Sequence, residues 1–345
     1  MNSASHNLIE TAEAGRKLSR EEAEAFMEEL LSGLIATPEI VRMLLALNQR
    51  PVSVAELTGF AHVMRNHAAP VFAPAEQRPT GMVDTCGTGG DETGTFNIST
   101  AAAIVASAAG ARVAKHGTRG VSSRSGSADV LEALGVRIDL PMMAAGLSVR
   151  EIGIGFLFAP AAHAAARHAM PARRQIVKRT VFNLLGPLTN PAGAEAQVLG
   201  VFSADVIDTV ATTLAELGTH RAFVVHGAGG LDEISLAGET QIAEVRNGAV
   251  RRFTVAPEDF GLSRAPLETL RGGTPQENAA LIQSLLAGES GPRLDVVLAN
   301  AAAALVVTGL ADDFRSAAEQ SRRAITSGKA REKLESLKEF SNRKD

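Results

Sequence analysis

A glycine-rich segment followed by hydroxyl and amide side chains is the part of this sequence with the clearest chemistry. It reads Asp84-Thr85-Cys86-Gly87-Thr88-Gly89-Gly90-Asp91 and continues, after five residues, as Asn97-Ile98-Ser99-Thr100. The glycines allow main-chain N–H groups to point at one concave site, and an Ala-rich helix predicted over 101–109 adds the free N–H groups of its N-terminus. The spacing differs from that of a Walker A loop and of a GxGxxG fingerprint. The segment predicts an anion-binding loop of neither the ATPase nor the dinucleotide type.

A second polar loop follows a short strand predicted over 112–114. It reads Lys115-His116-Gly117-Thr118-Arg119-Gly120-Val121-Ser122-Ser123, and Gly126-Ser127-Ala128-Asp129 comes soon after. Cations and hydroxyls at this density suit a polyanion such as a phosphate or diphosphate ester. By itself, His116 is more typical of a hydrogen-bonded loop residue than of a catalyst. Asp129 can equally be explained as negative charge in the first turn of a helix.

Two adjacent acids, Asp232 and Glu233, end a third glycine-rich loop that begins at His226 and follows a strand predicted over 222–225. Mg²⁺ prefers one or two carboxylates together with water and substrate phosphate. Because adjacent acids are also common on protein surfaces, the magnesium hypothesis depends on the two phosphate-binding loops lying nearby.

A fourth region pairs apolar side chains with guanidinium groups. It comprises Phe156 to His163, Arg173-Arg174, and the run Arg179-Thr180-Val181-Phe182-Asn183-Leu184-Leu185-Gly186-Pro187-Leu188. An arginine beside an apolar slot is how a small aromatic carboxylate is held. A packed helix pair with surface arginines would give the same pattern.

The elements that must position these segments alternate between short apolar runs and longer helical stretches. The runs 81–84, 112–114, 197–202 and 221–225 end in turns and precede helices, which predicts a mainly parallel sheet. Two alternating runs on either side of Asn247-Gly248 predict an antiparallel hairpin over 241–255. Residues 1–70 predict three short amphipathic helices and no strand. We therefore expect an α/β fold class, with a small N-terminal all-α domain and a large α/β domain.

Composition and charge limit the partners. The chain has 345 residues, 45% of them apolar, and a formal net charge of −4, so we expect no nucleic-acid partner. Its single cysteine, Cys86, fits a reducing compartment. The N-terminal residues lack the basic and apolar regions of a signal peptide. The longest apolar run, Leu294 to Leu310, contains Asp295 and Asn300 and is shorter than the ~20 residues that span a bilayer. We expect a cytoplasmic protein with no membrane partner.

In this order, the segments resemble the anthranilate phosphoribosyltransferase family of tryptophan biosynthesis. The matching stretches are Gly87 to Asp91, Asn97 to Thr100, Lys115 to Gly117, Gly126 to Asp129, Arg179 to Leu188 and Gly230 to Ser235. The resemblance implies a helical dimerisation domain over 1–72, with helices from about 165–187 packed back on it. It also implies a catalytic α/β domain over 73–345 and an active site in the hinge cleft between the two.

The resemblance further implies a reaction. Phosphoribosyl pyrophosphate, with the cofactor Mg²⁺, and anthranilate would give N-(5-phosphoribosyl)anthranilate and pyrophosphate, in a homodimer whose other partners are small molecules. Because the anthranilate amine is already a competent nucleophile, we expect no indispensable general acid or base. Lys115 would stabilise the leaving pyrophosphate.

Residue by residue, the resemblance assigns three sets of contacts. Magnesium would be held by Ser99, Asp232 and Glu233. Anthranilate would contact Gly87, Thr118, His163, Arg173 and Pro187. Phosphoribosyl pyrophosphate would contact Gly87, Gly90, Asp91, Thr95, Asn97, Ile98, Ser99, Thr100, Lys115, His116, Gly117, Thr118, Arg119, Gly120, Val121, Ser122, Ser123 and Ser127.

One position departs from the family pattern. The family usually has asparagine where this chain has Thr118. Because a hydroxyl has less reach than an amide, one acceptor hydrogen bond worth ~0.5–1.5 kcal/mol would be lost. An alternative function is therefore that of a related phosphoribosyltransferase with a different aromatic acceptor. Weaker alternatives are a pyrimidine nucleoside phosphorylase, whose phosphate loop orders its residues differently, and a non-catalytic paralogue that binds nucleic acid.

Overall fold

The N-terminal part of the chain is a bundle of helices. The computed structural model describes residues 3–74, 76–120, 124–176 and 178–343. The bundle contains α1 (Ser3–Glu13), α2 (Arg20–Leu31), α3 (Thr37–Asn48) and α4 (Val54–Asn66). Reciprocal capping boxes start α2 and α4, in which Ser19 pairs with Glu22 and Ser53 with Glu56. The prediction of three helices was incomplete, because α1 also forms.

A seven-stranded sheet carries the rest of the fold. Its strands are β1 (Met82–Asp84), β2 (Arg112–Gly117), β3 (Ile154–Phe158), β4 (Ala196–Gly200), β5 (Arg221–Gly227), β6 (Thr240–Arg246) and β7 (Ala249–Val255), in the order β3-β2-β1-β4-β5-β6-β7. The five strands from β3 to β5 in this order are parallel, whereas β6 and β7 are antiparallel. Asn247 and Gly248 have φ values of 50° and 81°, as a tight hairpin turn requires. The predicted fold class, with its mainly parallel sheet and its hairpin, is confirmed.

The remaining helices pack on the sheet, on the N-terminal bundle or on one another. They are α5 (Ile98–Ala108), α6 (Ser127–Ala133), α7 (Met142–Ile152), α8 (Ala159–Ala162), α9 (Met170–Gln175), α10 (Val181–Leu188), α11 (Ile207–Glu216), α12 (Pro275–Leu286), α13 (Pro292–Val307), α14 (Phe314–Thr326) and α15 (Lys329–Ser341). Short 3₁₀ helices occupy Ala164–Ala169, Ala204–Val206, Pro257–Phe260 and Leu267–Leu270. The apolar run near residue 300 is the core helix α13. In the described part of the chain, no helix is both long and apolar enough to cross a bilayer.

Two large apolar cores lie on the two faces of the sheet. One packs α5 and α13 against β2, β4 and β5. The other joins the N-terminal bundle to α9, α10 and α11, so that Phe182 and Leu185 share a core with Phe26 and Phe60. The helices near 165–187 therefore pack on the N-terminal bundle. The exact domain limits, 1–72 and 73–345, stay a prediction.

The parallel strands bring distant loops together. β1, β2, β4 and β5 all point the same way, so the loops that follow them meet at one edge of the sheet. The glycine-rich loop follows β1, and the loop with Asp232 follows β5. Lys115, which was predicted in a loop, lies within β2 because the strand continues to Gly117, and the polar loop begins at Thr118.

Candidate active site

The glycine-rich loop after β1 is held by main-chain hydrogen bonds. The N–H of Thr88 donates to the carbonyl of Gly200 at 2.8 Å, and the N–H of Gly89 donates to Asp232 Oδ2 at 2.8 Å. Gly89 and Gly90 have φ values of 64° and 76°, which favour glycine at both positions. The loop is therefore a fixed turn that contacts the acidic pair directly.

The N-terminus of α5 faces the same acids. The N–H of Ser99 donates to Glu233 Oε1 at 3.0 Å, which satisfies a free amide of the first turn with a carboxylate. The Asn97 side chain serves a different purpose, because it bonds Ser125 and Asn278 and so ties the helix start to its surroundings. Ile98 and Thr100 are each 1% exposed, so both residues are buried at the start of α5.

Lys115 is a buried cation, 4% exposed, that reaches this site from β2. Its Nζ lies 3.2 Å from both the carbonyl oxygen and Oγ1 of Thr85, and 3.4 Å from Ser99 Oγ. Its charge lowers the pKa of Glu233, although it does not cancel the opposing effect of burial. Lys115 thus places a positive charge beside the acids and the α5 N-terminus.

Asp91, Asp232 and Glu233 form a cluster of carboxylates whose negative charges are only partly balanced by nearby positive charge. Burial raises the pKa of Glu233 to about 7, and burial together with repulsion from Asp91 and Glu233 raises the pKa of Asp232 well above its usual range. The N–H of Asp232 lies 3.4 Å from Asp91 Oδ2. Oxygen ligands whose mutual repulsion is not neutralised by the protein fit a hard divalent cation, so the donor set suits Mg²⁺.

A second set of ligand-type side chains, Asp84, Cys86 and His116, also lies close together. Both oxygens of Asp84 are already used, because Oδ1 accepts from the His116 main-chain N–H and Oδ2 accepts from Asn190. Burial raises the pKa of Asp84 to about 6, and it raises the pKa of the Cys86 thiol. Asp84 therefore holds the ends of β1 and β2 together. The predicted magnesium site is the cluster around Asp232 and Glu233.

The loop after β2 is fastened by Asp129. Its Oδ2 accepts from the N–H groups of Gly120 and Gly126, and its Oδ1 accepts from Arg119. The Arg119 side chain is also paired with Glu132, so it turns toward α6. Gly117 packs on Ser127, and Thr118 is exposed. The predicted contacts Val121, Ser122 and Ser123 lie outside the described residues.

One residue predicted to hold the acceptor, His163, is a buried histidine that packs on a second buried histidine, His116. The rings of His116 and His163 are 5.2 Å apart between centroids, in an edge-to-face arrangement. Burial lowers the pKa of His116 to about 3 and that of His163 to about 4, so both imidazoles are neutral at physiological pH. His116 was predicted to contact phosphoribosyl pyrophosphate, whereas its ring lies against His163, which was predicted to contact anthranilate.

Arg173 has the surroundings of a carboxylate receptor. Its guanidinium lies 5.2 Å from the centroid of the Phe182 ring, and burial lowers its pKa. Among the described residues, no carboxylate forms an ion pair with it. Pro187 is buried in α10, and its carbonyl accepts from Gln197 at 2.6 Å. An unneutralised arginine beside an aromatic ring suits a small aromatic acid.

The structure thus gathers Gly87, Asp91, Ser99 and Lys115 around Asp232 and Glu233. Thr95 lies further along the loop and pairs with Arg271. Sequence reasoning missed Asn190 and Thr85, which bind Asp84 and Lys115. It grouped Arg179 with the arginines of an apolar slot, whereas Arg179 bonds the carbonyl of Gly90.

Comparison with known proteins decides the family. A model of the glycosyl transferase family helical bundle domain matches residues 6–68, and a model of the a/b domain of the same family matches residues 79–331. The anthranilate phosphoribosyltransferase of Pelotomaculum thermopropionicum is 52% identical over 334 residues, which cover 97% of this chain and 96% of that protein. This chain belongs to the anthranilate phosphoribosyltransferase family.

Solved structures of the family agree with the fold. The crystal structure of anthranilate phosphoribosyltransferase from Thermus thermophilus matches with a TM-score of 0.91 and 44% identity, covering 97% of this chain and 99% of that one. The enzyme from Saccharomyces cerevisiae, in complex with PRPP and Mg, matches with a TM-score of 0.89 and 26% identity, covering 99% and 98%.

Proposed function

We propose that this protein transfers the 5-phosphoribosyl group of phosphoribosyl pyrophosphate to the amine of anthranilate, releasing pyrophosphate, as a step of tryptophan biosynthesis. The observation that carries the proposal is the convergence of the Gly89 N–H, the α5 N-terminus and Lys115 on Asp232 and Glu233. Such a site places the glycine-rich loop, the start of α5 and a cation beside acids that suit magnesium, which is the environment that a magnesium-bound diphosphate needs. The named activity of relatives about 50% identical over nearly the whole chain supports the same reaction.

The chemistry follows from the chain's own groups. The anthranilate nitrogen forms a bond to the anomeric carbon, the bond from that carbon to the pyrophosphate oxygen breaks, and the nitrogen loses a proton to solvent. Lys115 and the main-chain N–H groups of the glycine-rich loop stabilise the negative charge that grows on the departing pyrophosphate. Asp232, Glu233 and Ser99 would hold Mg²⁺, which when bound neutralises diphosphate charge.

Arg173 would orient the acceptor through its carboxylate, so that the amine faces the anomeric carbon. His116 and His163 are neutral, so neither adds a positive charge that would compete for the carboxylate. No residue needs to transfer a proton in the step that breaks the bond to pyrophosphate.

The test is a fluorescence assay of anthranilate consumption with phosphoribosyl pyrophosphate, with and without Mg²⁺. We expect consumption that needs both the donor and the metal. Isomeric aminobenzoates, offered in place of anthranilate, test the effect of Thr118, and thymidine with phosphate tests the nucleoside phosphorylase reaction. Turnover of another acceptor in preference to anthranilate would overturn the proposed substrate.

We also propose a cytoplasmic homodimer that associates through the N-terminal bundle. Leu34 and Leu45 are 67% and 44% exposed on this bundle, and large apolar side chains on a surface mark an interface when they cluster. Sedimentation of the wild type and of Leu34→Lys with Leu45→Lys should show a dimer and a monomer. A monomeric wild type would contradict the proposal.

A further inference from the structure

Arg179 connects three parts of the molecule at the rim of the candidate site. Its Nη1 donates a hydrogen bond to the carbonyl of Gly90 in the glycine-rich loop. Its guanidinium carbon lies 4.5 Å from the centroid of the Phe202 ring, just beyond β4. The main-chain carbonyl of Arg179 accepts a 2.8 Å hydrogen bond from the side chain of Asn48, at the end of α3.

Phe202 is itself attached to the glycine-rich loop. Its main-chain N–H donates to Thr88 Oγ1 at 3.1 Å. The guanidinium of Arg179 therefore contacts both Phe202 and Gly90, and Phe202 is itself hydrogen-bonded to the loop that contains Gly90. Stacking on the ring limits the freedom of the arginine side chain, so the hydrogen bond to Gly90 is held in one direction.

That hydrogen bond sets the orientation of a peptide group in the loop. Because a peptide unit is planar and trans, the N–H of Asp91 points away from the Gly90 carbonyl, and hence away from Arg179. Gly89 and Gly90 both have positive φ, and glycines of this kind can adopt several backbone conformations when nothing restrains them. A restraint on the Gly90 carbonyl therefore selects which N–H groups the loop presents.

We propose that Arg179 is a positioning residue that fixes the glycine-rich loop against the N-terminal bundle and thereby raises affinity for the diphosphate of the donor. This inference rests on the proposed function, because it assigns the loop to donor binding. Arg179 acts here through Gly90, and Asn48 anchors its main chain from the N-terminal bundle. In the described part of the chain, Arg179 forms no ion pair with an acid, so its hydrogen-bonding groups are available for the loop.

The variant Arg179→Ala removes the link to the loop and leaves the main-chain anchor to Asn48 in place. We expect the KM for phosphoribosyl pyrophosphate to rise roughly 10-fold, the effect of losing a hydrogen bond from a charged donor, with little change in kcat or in the anthranilate KM. Lys178→Ala, which removes an exposed neighbouring charge, is the matched control and should behave like the wild type. An equal rise of this KM in both variants would overturn the proposal, because the positive charge of the segment, and not the hydrogen bond to Gly90, would then set the affinity.

Arg179→Lys separates positioning from simple attraction. A lysine keeps the charge but lacks the planar group that stacks on Phe202 and fixes the direction of the hydrogen bond. We expect it to leave most of the KM defect in place. Full recovery with lysine would overturn the proposal in favour of direct attraction of the diphosphate.

Asn48→Ala tests the coupling to the N-terminal bundle. Asn48 contacts the Arg179 main chain, so we expect a smaller rise in donor KM, roughly 3-fold, from the loss of a neutral hydrogen bond. The double variant should match Arg179→Ala, because an anchored main chain no longer helps once the guanidinium is gone. Additive effects would show that Asn48 and Arg179 act independently and would overturn the coupling.

Hydrogen–deuterium exchange gives a readout that needs no turnover. Peptides covering residues 86–96 should exchange faster in Arg179→Ala than in the wild type, at an unchanged melting temperature. If the wild type fails to consume anthranilate, the proposed function fails while this measurement still reports on the loop. If the wild type is active and exchange in Arg179→Ala is unchanged, the positioning role alone is wrong.

Discussion

The main-chain N–H of Gly89 donates a 2.8 Å hydrogen bond to the carboxylate of Asp232, across 143 positions of the chain. The two residues follow β1 and β5, which are separated in the sheet by β4. Gly200, at the end of β4, fits between them because it has no side chain. The loop that would bind diphosphate and the acid that would bind magnesium are therefore parts of one unit.

The first prediction concerns this acidic cluster. Asp232→Asn removes a charged ligand and should weaken Mg²⁺ binding strongly. Loss of a residue that only hydrogen-bonds to a metal ligand costs roughly 10–100-fold in affinity, and we expect a larger loss here. In the absence of metal, the same variant should be at least as stable as the wild type at pH 8, since repulsion with Asp91 and Glu233 is relieved. Isothermal titration and melting curves with and without Mg²⁺ measure the two effects. Glu268→Gln, at an exposed acid, is the control, and unchanged Mg²⁺ affinity in Asp232→Asn would rule out this ligand set.

The second prediction concerns pH. Glu233 has its pKa raised from 4.5 to about 7, so the favourable contribution of its protonated form is present below 4.5 and is lost as the pH rises through 7. Mg²⁺ needs the ionised form and competes with that proton, so its apparent affinity should fall by up to ~10-fold per pH unit below 7. Titrations at pH 6 and pH 8 should differ accordingly, and Glu233→Gln should reduce the difference, whereas the raised pKa of Asp232 keeps part of it. A flat profile in the wild type would contradict the raised pKa.

The sequence predicted best those features that depend on neighbouring residues. The turn at Asn247-Gly248 and the loops after β1 and β2 each follow from local residue types. β3 was not predicted, because its buried residues show no alternation of apolar and polar side chains. Residues 156–158 were interpreted instead as apolar side chains beside the arginines. The C-terminal helix α15 is rich in charged residues, yet it buries Leu334 and Leu337 against the core.

The contacts within the site depended on tertiary structure. Arg119 looked like a phosphate ligand, and only its place beside Asp129 and Glu132 shows that its charge is already paired. Asn97 was predicted to contact phosphoribosyl pyrophosphate, but its side-chain amide joins Ser125 and Asn278. A hydrogen bond between residues so far apart in the sequence leaves no local pattern to detect.

The third prediction concerns the acceptor. Arg173→Ala should raise the anthranilate KM about 10-fold or more, because a charge-assisted pair is lost, and should leave the donor KM unchanged. Arg174→Ala, on the same helix but exposed, is the matched control. Steady-state kinetics with each substrate varied in turn measures both constants. An unchanged anthranilate KM in Arg173→Ala would show that the carboxylate binds elsewhere.

The fourth prediction concerns Lys115. Lys115→Met keeps the length of the buried side chain and removes its charge, so packing is largely preserved. We expect kcat/KM for phosphoribosyl pyrophosphate to fall about 100-fold, the effect of removing one donor from a developing negative charge. The pKa values of Asp84 and Glu233 should rise further, since Lys115 lowers both. Donor-dependent kinetics across pH tests this, and wild-type kcat/KM in the variant would exclude a role in pyrophosphate departure.

The fifth prediction concerns Gly200. A Cβ at this position would lie 1.5 Å from the carbonyl oxygen of Asp232, so Gly200→Ala can be accommodated only by moving the Asp232 main chain. Overpacking of this kind costs about 1–3 kcal/mol, and we expect the upper end of that range in urea unfolding. Gly238→Ala is the graded control, because its Cβ would approach only the Ala228 Cβ, at 3.0 Å. Since the displaced residue is the proposed metal ligand, Mg²⁺ affinity should also fall in Gly200→Ala and stay unchanged in Gly238→Ala. If Gly200→Ala loses stability but binds Mg²⁺ normally, Asp232 does not hold the metal from this position.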